Sequence, residues 1–211
     1  MVELKELQEA LLRGDILKVK EITQEALREK REPREILEQG LIKGMNIVGI
    51  KFKNNEIFLP EVLLASQAMH SGLTLLQPKL IKDGIKAVGK VIIGTAKGDL
   101  HDIGKNLVAM MLRGGGFEVI DLGIDVSPEK FLKAYREHQP DIVGISALLT
   151  TTMIAMTDVL TVFEKAGLRS SVKVMVGGAP VTQEFANEIN ADLYAPDAAS
   201  AVDKARELLK I

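Results

Sequence analysis

Hydrophobic residues in the first 83 positions recur at spacings of three and four, which is the period of amphipathic helices. Gly14-Asp15 and Glu32-Pro33 interrupt this pattern, and Pro60 follows the polar segment 53–56. A glycine before an aspartate ends one helix and caps the next, and proline suits the first turn of a helix. The pattern therefore predicts four amphipathic helices with short connections, packed as a bundle. The core stripes expected for the third and fourth helices are Leu37, Leu41, Met45, Val48, and Leu63, Ser66, Met69, Leu73, Leu76, Leu80.

The hydrophobic period changes at residue 90. Short β-branched runs now alternate with helical segments, and Gly, Pro or Asp separates each pair. Such repeats predict a doubly wound, five-stranded parallel sheet of the α/β class, with helices on both faces. The predicted strands are 90–95, 117–121, 141–147, 172–176 and 192–194. Asp83-Gly84 interrupts the last helix of the bundle, so we expect two domains, residues 1–85 and 90–211.

Composition removes several classes of function. The 211 residues include no Cys, which excludes disulfides, zinc–thiolate sites, iron–sulfur clusters and thiol nucleophiles. The formal net charge is −2, from 27 Lys and Arg against 29 Asp and Glu, so no basic surface for nucleic acid or anionic lipid is expected. No apolar run approaches the roughly 20 residues that a bilayer requires. No targeting segment is evident either, so we expect a cytoplasmic protein.

The unusual residues follow three of the predicted strands. They occupy positions 98–106, 146–152 and 177–180, after the first, third and fourth strands. In an open α/β sheet, ligands bind beyond the carboxyl ends of the strands, where such loops meet. We therefore expect these three segments to form one site.

His101 and Asp99 are the residues in these loops that carry the clearest metal chemistry. A neutral imidazole is a ligand for borderline metals, and a carboxylate two residues earlier can hold its second nitrogen. An isolated loop histidine is more often an ordinary surface residue, so a metal-binding role for His101 depends on the residues around it. His70 is better explained as a helix-flank residue, and His138 as a cation at a helix C-terminus. Asp102 is either a second acid or, more simply, a helix N-cap.

Three motifs in the correct order resemble the cobalamin-binding module of methionine synthase, the base-off mutases and the small corrinoid proteins. They are Asp99-x-His101-x-x-Gly104, Ser146-x-Leu148 and Gly177-Gly178. The segment 58–62 resembles the start of the last helix in the cap bundle that precedes this module in the methyltransferases. The resemblance covers nearly the whole chain and implies a four-helix cap followed by a flavodoxin-like domain.

The resemblance implies cobalamin, as methylcobalamin or a related corrinoid, with His101 as the axial ligand of cobalt. In the family the imidazole replaces the cofactor's own dimethylbenzimidazole, whose tail is buried beside the sheet. Asp99 is then expected to hold His101, and Thr152 to extend this relay, where the methionine synthases usually have Ser. Thr150–Thr152 could equally cap the next helix, and Gly177-Gly178 could be an ordinary turn. The other expected cofactor contacts are Asp102, Gly104, Ser146, Leu148, Thr150, Gly177 and Gly178.

The resemblance also assigns apolar residues of the bundle to the cofactor. Phe52, Leu59 and Val62 fall where the family's cap covers the upper face of the corrin. An apolar cover there would keep water from the cobalt. All three could instead be core residues of the bundle, and the sequence leaves both possibilities open.

The function implied is that of a methyl carrier in one-carbon metabolism, the non-catalytic corrinoid subunit of a cobalamin-dependent methyltransferase system. The expected partners are a substrate:corrinoid methyltransferase, a second methyltransferase that delivers methyl to tetrahydrofolate or a thiol such as coenzyme M, and a reductive activase. The sequence leaves the donor open among methanol, methylamines, methoxylated aromatics and betaines. A cobalamin-dependent sensor and the cobalamin subunit of a mutase are the alternatives. A sensor is expected to need an output domain, and mutase subunits normally lack the preceding bundle, so the carrier is favoured.

Overall fold

A computed structural model describes residues 3–210, so the outer limits of the two predicted domains, residues 1 and 211, lie outside the described residues. The described chain divides into two compact units. One extends to Ala87 and includes Gly114–Gly116, and the other comprises Val88–Arg113 and the chain from Phe117 onward. Among residues 3–210, no helix has both the length and the hydropathy that crossing a bilayer requires.

The first unit is helical, and its helix boundaries follow the predicted signals. Asp15 caps the second helix by accepting a hydrogen bond from the Lys18 N–H at 2.9 Å. Glu61 reaches back to the Phe58 N–H at 3.1 Å and closes the start of the last helix. The predicted third helix runs through a π-helical segment, Ile36–Ile42. The helices are α1 (Leu4–Leu12), α2 (Ile16–Arg28), α3 (Pro33–Glu35), α4 (Lys43–Lys53) and α5 (Leu59–Lys82).

The core face of α5 differs from the predicted stripe. Leu63 is 38% exposed, while Val62 beside it is fully buried, so the prediction that Leu63 is a core residue was wrong. Small residues let α2 approach α5 closely, and a Cβ on Gly72 would lie 3.1 Å from Val19. The buried face therefore follows the small side chains and turns some leucines outward. It comprises Val62, Ala65, Ala68, Met69, Ser71, Gly72, Leu76 and Leu80. Similarly, Ile36 is buried where the predicted stripe had Leu37.

The second unit is a parallel α/β sheet, as predicted. The strand order is β2-β1-β3-β4-β5, and every paired strand is parallel. This is the flavodoxin-like order, in which the chain changes direction of winding between β1 and β3. The strands are β1 (Lys90–Thr95), β2 (Glu118–Asp121), β3 (Ile142–Ser146), β4 (Lys173–Gly177) and β5 (Leu193–Ala195). The helices are α6 (Ile103–Gly114), α7 (Pro128–His138), α8 (Ile154–Lys165), α9 (Gln183–Glu188) and α10 (Ala198–Leu209).

Backbone hydrogen bonds continue past the strand ends and draw the three predicted site loops together. The Ala96 N–H donates to the Ser146 carbonyl at 2.8 Å, joining the loops after β1 and β3. The Ala147 N–H donates to the Gly177 carbonyl at 3.2 Å, joining the loops after β3 and β4. The three loops thus share one edge of the sheet, beside the point where the winding direction changes.

Candidate metal and cofactor site

Asp99 and His101 form a close pair in the loop after β1. One carboxylate oxygen of Asp99, Oδ1, accepts from the His101 backbone N–H at 3.0 Å and lies 2.7 Å from His101 Nδ1. Asp99 is fully buried, whereas the His101 side chain is 50% exposed. The carboxylate therefore places the ring proton on Nδ1 and leaves the lone pair of Nε2 directed away from Asp99, the arrangement of a metal-binding histidine.

The other oxygen of Asp99 connects the pair to the loop after β3. Asp99 Oδ2 accepts hydrogen bonds from the Thr152 hydroxyl at 2.7 Å and from the Leu148 N–H at 2.7 Å. The Leu149 N–H lies 3.3 Å from the same oxygen. Thr152 is itself buried, at the end of a short 3₁₀ turn, Thr150–Thr152. Two loops that are distant in the sequence, those after β1 and β3, thus hold a single carboxylate between them.

The hydrogen bonds around Asp99 keep its carboxyl group ionised. Burial by itself would raise the pKa of Asp99. The His101 N–H, the Thr152 hydroxyl and the Leu148 N–H outweigh this effect, and together they hold the pKa well below its usual value. Asp99 is therefore an anion at neutral pH and acts only as an acceptor toward the imidazole.

Two further residues of the first loop have different surroundings. The Asp102 carbonyl accepts from the Asn106 N–H at 2.7 Å, and its carboxylate accepts from the Asn106 amide at 3.0 Å. These contacts favour the N-cap interpretation of Asp102. Gly104, in the first turn of α6, faces open space: a Cβ built on it meets no other described part of the chain within 4 Å.

The double glycine lets the backbone of two loops touch. Gly178 has φ +130°, and a Cβ there would lie 1.9 Å from the Ala147 carbonyl oxygen, so only glycine fits. A Cβ on Gly177 would lie 3.0 Å from the carbonyl oxygen of Ala195. These close backbone contacts are enough to explain why glycine occupies both positions. Ser146 is half-buried, and no group among residues 3–210 hydrogen-bonds its hydroxyl, while Thr150 is exposed.

Large apolar side chains are exposed along this same edge of the sheet. Leu100 and Ile103, on either side of His101, are 67% and 72% exposed. The loop after β3 and the start of α8 contribute Leu148, Leu149 and Ile154. Only Leu148 was predicted from the sequence, because hydrophobic residues at helix and strand ends give no signal of facing outward. Exposed apolar groups concentrated around one polar residue are typical of a ligand surface.

Comparisons with known proteins identify the family. Residues 89–203 match one B12 binding domain family, and residues 3–77 match a second B12 binding domain family. Dimethylamine corrinoid protein 3 of Methanosarcina acetivorans is 46% identical over 98% of this chain and 96% of its own length. The chain belongs to the B12-binding corrinoid proteins.

Further relatives and solved structures support this assignment. A corrinoid protein of Desulfitobacterium hafniense is 42% identical over 98% of this chain and 97% of its own length. The crystal structure of a cobalamin-binding protein from D. hafniense superposes with a TM-score of 0.83 at 28% identity, covering 99% of each chain. A chain of the methanol:cobalamin methyltransferase complex of Methanosarcina barkeri superposes with a TM-score of 0.86 at 32% identity, over 97% of this chain and 78% of that one.

The residues at this edge of the corrinoid protein fit cobalamin. His101 offers a nitrogen ligand of the kind that cobalt accepts, and its tautomer is fixed from behind by Asp99. The exposed apolar side chains suit the flat, largely apolar surface of a corrin ring. The open space over Gly104 leaves room for a group to approach the start of α6.

Gly104→Ala separates cofactor contact from protein packing at this position. We expect the free energy of unfolding of the apo-protein to stay unchanged or to rise by up to about 1 kcal/mol, because alanine suits a helix better than glycine. The affinity for cobalamin should fall by about 10-fold or more, since the added methyl group occupies the open space. Denaturant unfolding and equilibrium dialysis measure the two quantities. A loss of apo stability with unchanged affinity would show that Gly104 serves packing alone.

The helical unit holds the remaining predicted cofactor residues. Phe52 in α4 and Leu59 at the start of α5 are half-buried. Val62 is fully buried, as a core residue of α5 is, which favours the core interpretation for that position. Phe58, which was not predicted, is 63% exposed.

Proposed function

We propose that this corrinoid protein carries methyl groups from a substrate-specific methyltransferase to a second methyltransferase, which delivers them to tetrahydrofolate or a thiol such as coenzyme M. The observation that carries the proposal is the fixed orientation of His101. Its Nδ1 is held by a buried carboxylate, which leaves the lone pair on Nε2, and the exposed apolar residues Leu100 and Ile103 lie on either side of it in the sequence. The full-length similarity to a dimethylamine corrinoid protein supports it, as does the superposition on a chain of a methanol:cobalamin methyltransferase complex.

The residues of this chain have defined tasks in that function. When bound, cobalamin supplies a cobalt centre that can accept a methyl group and release it. His101 would hold the cobalt through Nε2. Asp99 keeps the proton on Nδ1, and the Thr152 hydroxyl and Leu148 N–H keep Asp99 anionic and in place. Gly104 and Leu148 would contact the cofactor directly, and the residues that would line its path are Asp102, Ser146, Thr150, Gly177 and Gly178.

The two domains divide this work. Residues 90–211 form the cobalamin-binding domain, and residues 1–85 form a helical cap. Phe52 and Leu59 are the cap residues that we assign to the cofactor, because their side chains are only half-buried. Val62 is the least favoured of the three, because it has no exposed surface.

Methylated amines are the donors that the comparisons favour. Relatives from Methanosarcina that are 44–47% identical are named as dimethylamine or trimethylamine corrinoid proteins. Substrate contacts belong to the partner methyltransferase in this scheme, so the carrier itself needs no amine site. A reductive activase is the expected third partner, because the cobalt must be reduced before it can accept a methyl group.

The function is tested by following a labelled methyl group. The chemically reduced holo-protein is mixed with radiolabelled mono-, di- or trimethylamine or methanol, with and without the corresponding methyltransferase. We expect label on the protein only when active enzyme is present, and transfer to tetrahydrofolate or coenzyme M only when a second methyltransferase is added. Heat-inactivated enzyme is the control. Selective binding of adenosylcobalamin, with a change of oligomeric state in light, would support a sensor instead and contradict the carrier.

A further inference from the structure

The loop after β2 holds the loop that carries Asp99 and His101. Asp125 Oδ1 accepts a hydrogen bond from the Gly98 N–H at 2.7 Å. The Asp125 N–H in turn donates to the Asp99 carbonyl oxygen at 3.1 Å. Asp125, in the loop after β2, thus hydrogen-bonds the backbone on both sides of the Gly98–Asp99 peptide.

The backbone conformation of Asp125 restricts which residues can do this. Its φ is +50°, in the left-handed region that Asp and Asn tolerate better than most residues other than glycine. The next residue, Val126, donates its N–H to the Thr95 carbonyl at 2.9 Å and fixes the loop to β1. Position 125 therefore needs both a left-handed backbone and a short side-chain acceptor.

The hydrogen bonds of Asp125 influence His101 through Asp99. The Asp99 N–H donates to the Ala96 carbonyl at 3.1 Å, and its carbonyl accepts from Asp125, so the backbone of Asp99 is held at both ends. The direction of the Asp99 carboxylate sets the orientation of the imidazole at 2.7 Å. The Thr95 hydroxyl donates to the His101 carbonyl at 2.9 Å and restrains the other side of the loop.

We infer that Asp125 is a positioning residue that keeps Asp99 and His101 aligned for cobalt binding. Asp125 has no hydrogen bond to His101 among the described residues and acts only through Gly98 and Asp99. The inference deepens the proposed function and rests on it, because alignment matters for His101 as an axial ligand. Asp125 lies outside the motifs that carry the resemblance, so sequence analysis did not predict this role.

Three substitutions separate the two properties of Asp125. Asp125→Asn keeps an acceptor oxygen and the tolerance for positive φ. Asp125→Gly keeps the backbone conformation and removes the acceptor. Asp125→Ala removes both, and if it fails to fold, the other two variants still decide the question.

The first readout uses the apo-protein and does not depend on cobalamin. Long-range ¹H–¹⁵N NMR of nitrogen-15-histidine protein reports whether the His101 ring proton resides on Nδ1. We expect a predominant Nδ1–H form in the wild type and in Asp125→Asn. The ratio of the Nδ1–H form to the other protonation forms of the His101 ring should fall about 3-fold or more in Asp125→Gly, which is the range for one lost hydrogen bond. Wild-type populations in Asp125→Gly would overturn the inference.

The second readout uses the cobalt(II) holo-protein. Electron paramagnetic resonance gives the fraction of cobalt with a histidine nitrogen ligand, which should fall in Asp125→Gly and recover in Asp125→Asn. If the wild type itself shows no histidine nitrogen on cobalt, the proposed function fails, and the apo NMR result still decides whether Asp125 positions His101. If the wild type shows it and Asp125→Gly matches the wild type, the inference alone fails.

Discussion

His101→Ala is expected to abolish methyl transfer while the protein still binds cobalamin. The variant removes Nε2, the nitrogen that binds cobalt. The fall in the methyl-transfer rate should exceed the roughly 10–100-fold that removal of a residue supporting the ligand usually costs. Binding should persist because the exposed apolar side chains and the open space over Gly104 are unchanged. The variant should also fold, because the ring is half exposed and Asp99 retains its backbone and Thr152 donors.

The other two histidines provide matched controls for this experiment. His70 is exposed on α5, and His138 is the last residue of α7. We expect His70→Ala and His138→Ala to transfer methyl groups at the wild-type rate. Transfer by His101→Ala at more than about a tenth of the wild-type rate would contradict the role of His101 as the ligand, because even loss of a supporting partner usually costs about 10-fold.

Asp99→Asn is expected to weaken histidine coordination and methyl transfer by about 10–100-fold. Asp99 receives donors at both oxygens, the His101 backbone and ring N–H groups at Oδ1 and the Leu148 N–H and Thr152 hydroxyl at Oδ2. An asparagine has one oxygen and one NH₂ group. The NH₂ group is a donor, so the N–H or O–H groups on its side of the residue lose their acceptor. If the amide NH₂ faces the imidazole, the ring must accept there, and its lone pair moves from Nε2 to Nδ1. The fraction of cobalt(II) with a nitrogen ligand and the transfer rate are the measurements.

The controls for Asp99→Asn distinguish charge from packing. Asp203→Asn changes an exposed acidic residue of α10 and should behave as the wild type. The pKa of Asp99 is held below its usual value, so its contribution to stability is complete above about pH 4 and is lost as the pH falls further. The wild-type apo-protein should therefore lose more stability than Asp99→Asn between about pH 4 and pH 2. A wild-type level of coordination in Asp99→Asn would contradict the role assigned to Asp99.

The elements of the fold follow from the periodicity of the sequence, but the exact core face of α5 does not. Val62, Leu63 and Leu64 are consecutive apolar residues, and only Val62 is buried. The close approach of α2 to Gly72 decides which face turns inward, and that contact joins distant parts of the sequence. A hydrophobic period cannot distinguish a helix that buries leucines from one that buries alanine and glycine.

The centre of the site was predictable, whereas its surroundings were not. Asp99 and His101 belong to one motif with fixed spacing, and Thr152 was expected from the resemblance to the family. The structure places the polar groups of these three residues within hydrogen-bonding distance. The exposure of Leu100 and Ile103 depends on how the loop after β1 leaves the sheet. The role of Asp125 depends on its hydrogen bond with Gly98, which lies 27 residues earlier in the sequence. Neither arrangement leaves a local signal in the chain.

The central claim is that Nε2 of His101 binds cobalt, and isotope labelling tests it most directly. The cobalt(II) holo-protein is prepared with histidine containing nitrogen-14 or nitrogen-15, and the electron paramagnetic resonance spectra are compared. A single imidazole nitrogen predicts that the triplet splitting seen with nitrogen-14 histidine becomes a doublet with nitrogen-15 histidine, and that His101→Ala gives the same spectrum with either label. A wild-type spectrum that does not respond to the label, or a response to the label that survives in His101→Ala, would contradict the claim.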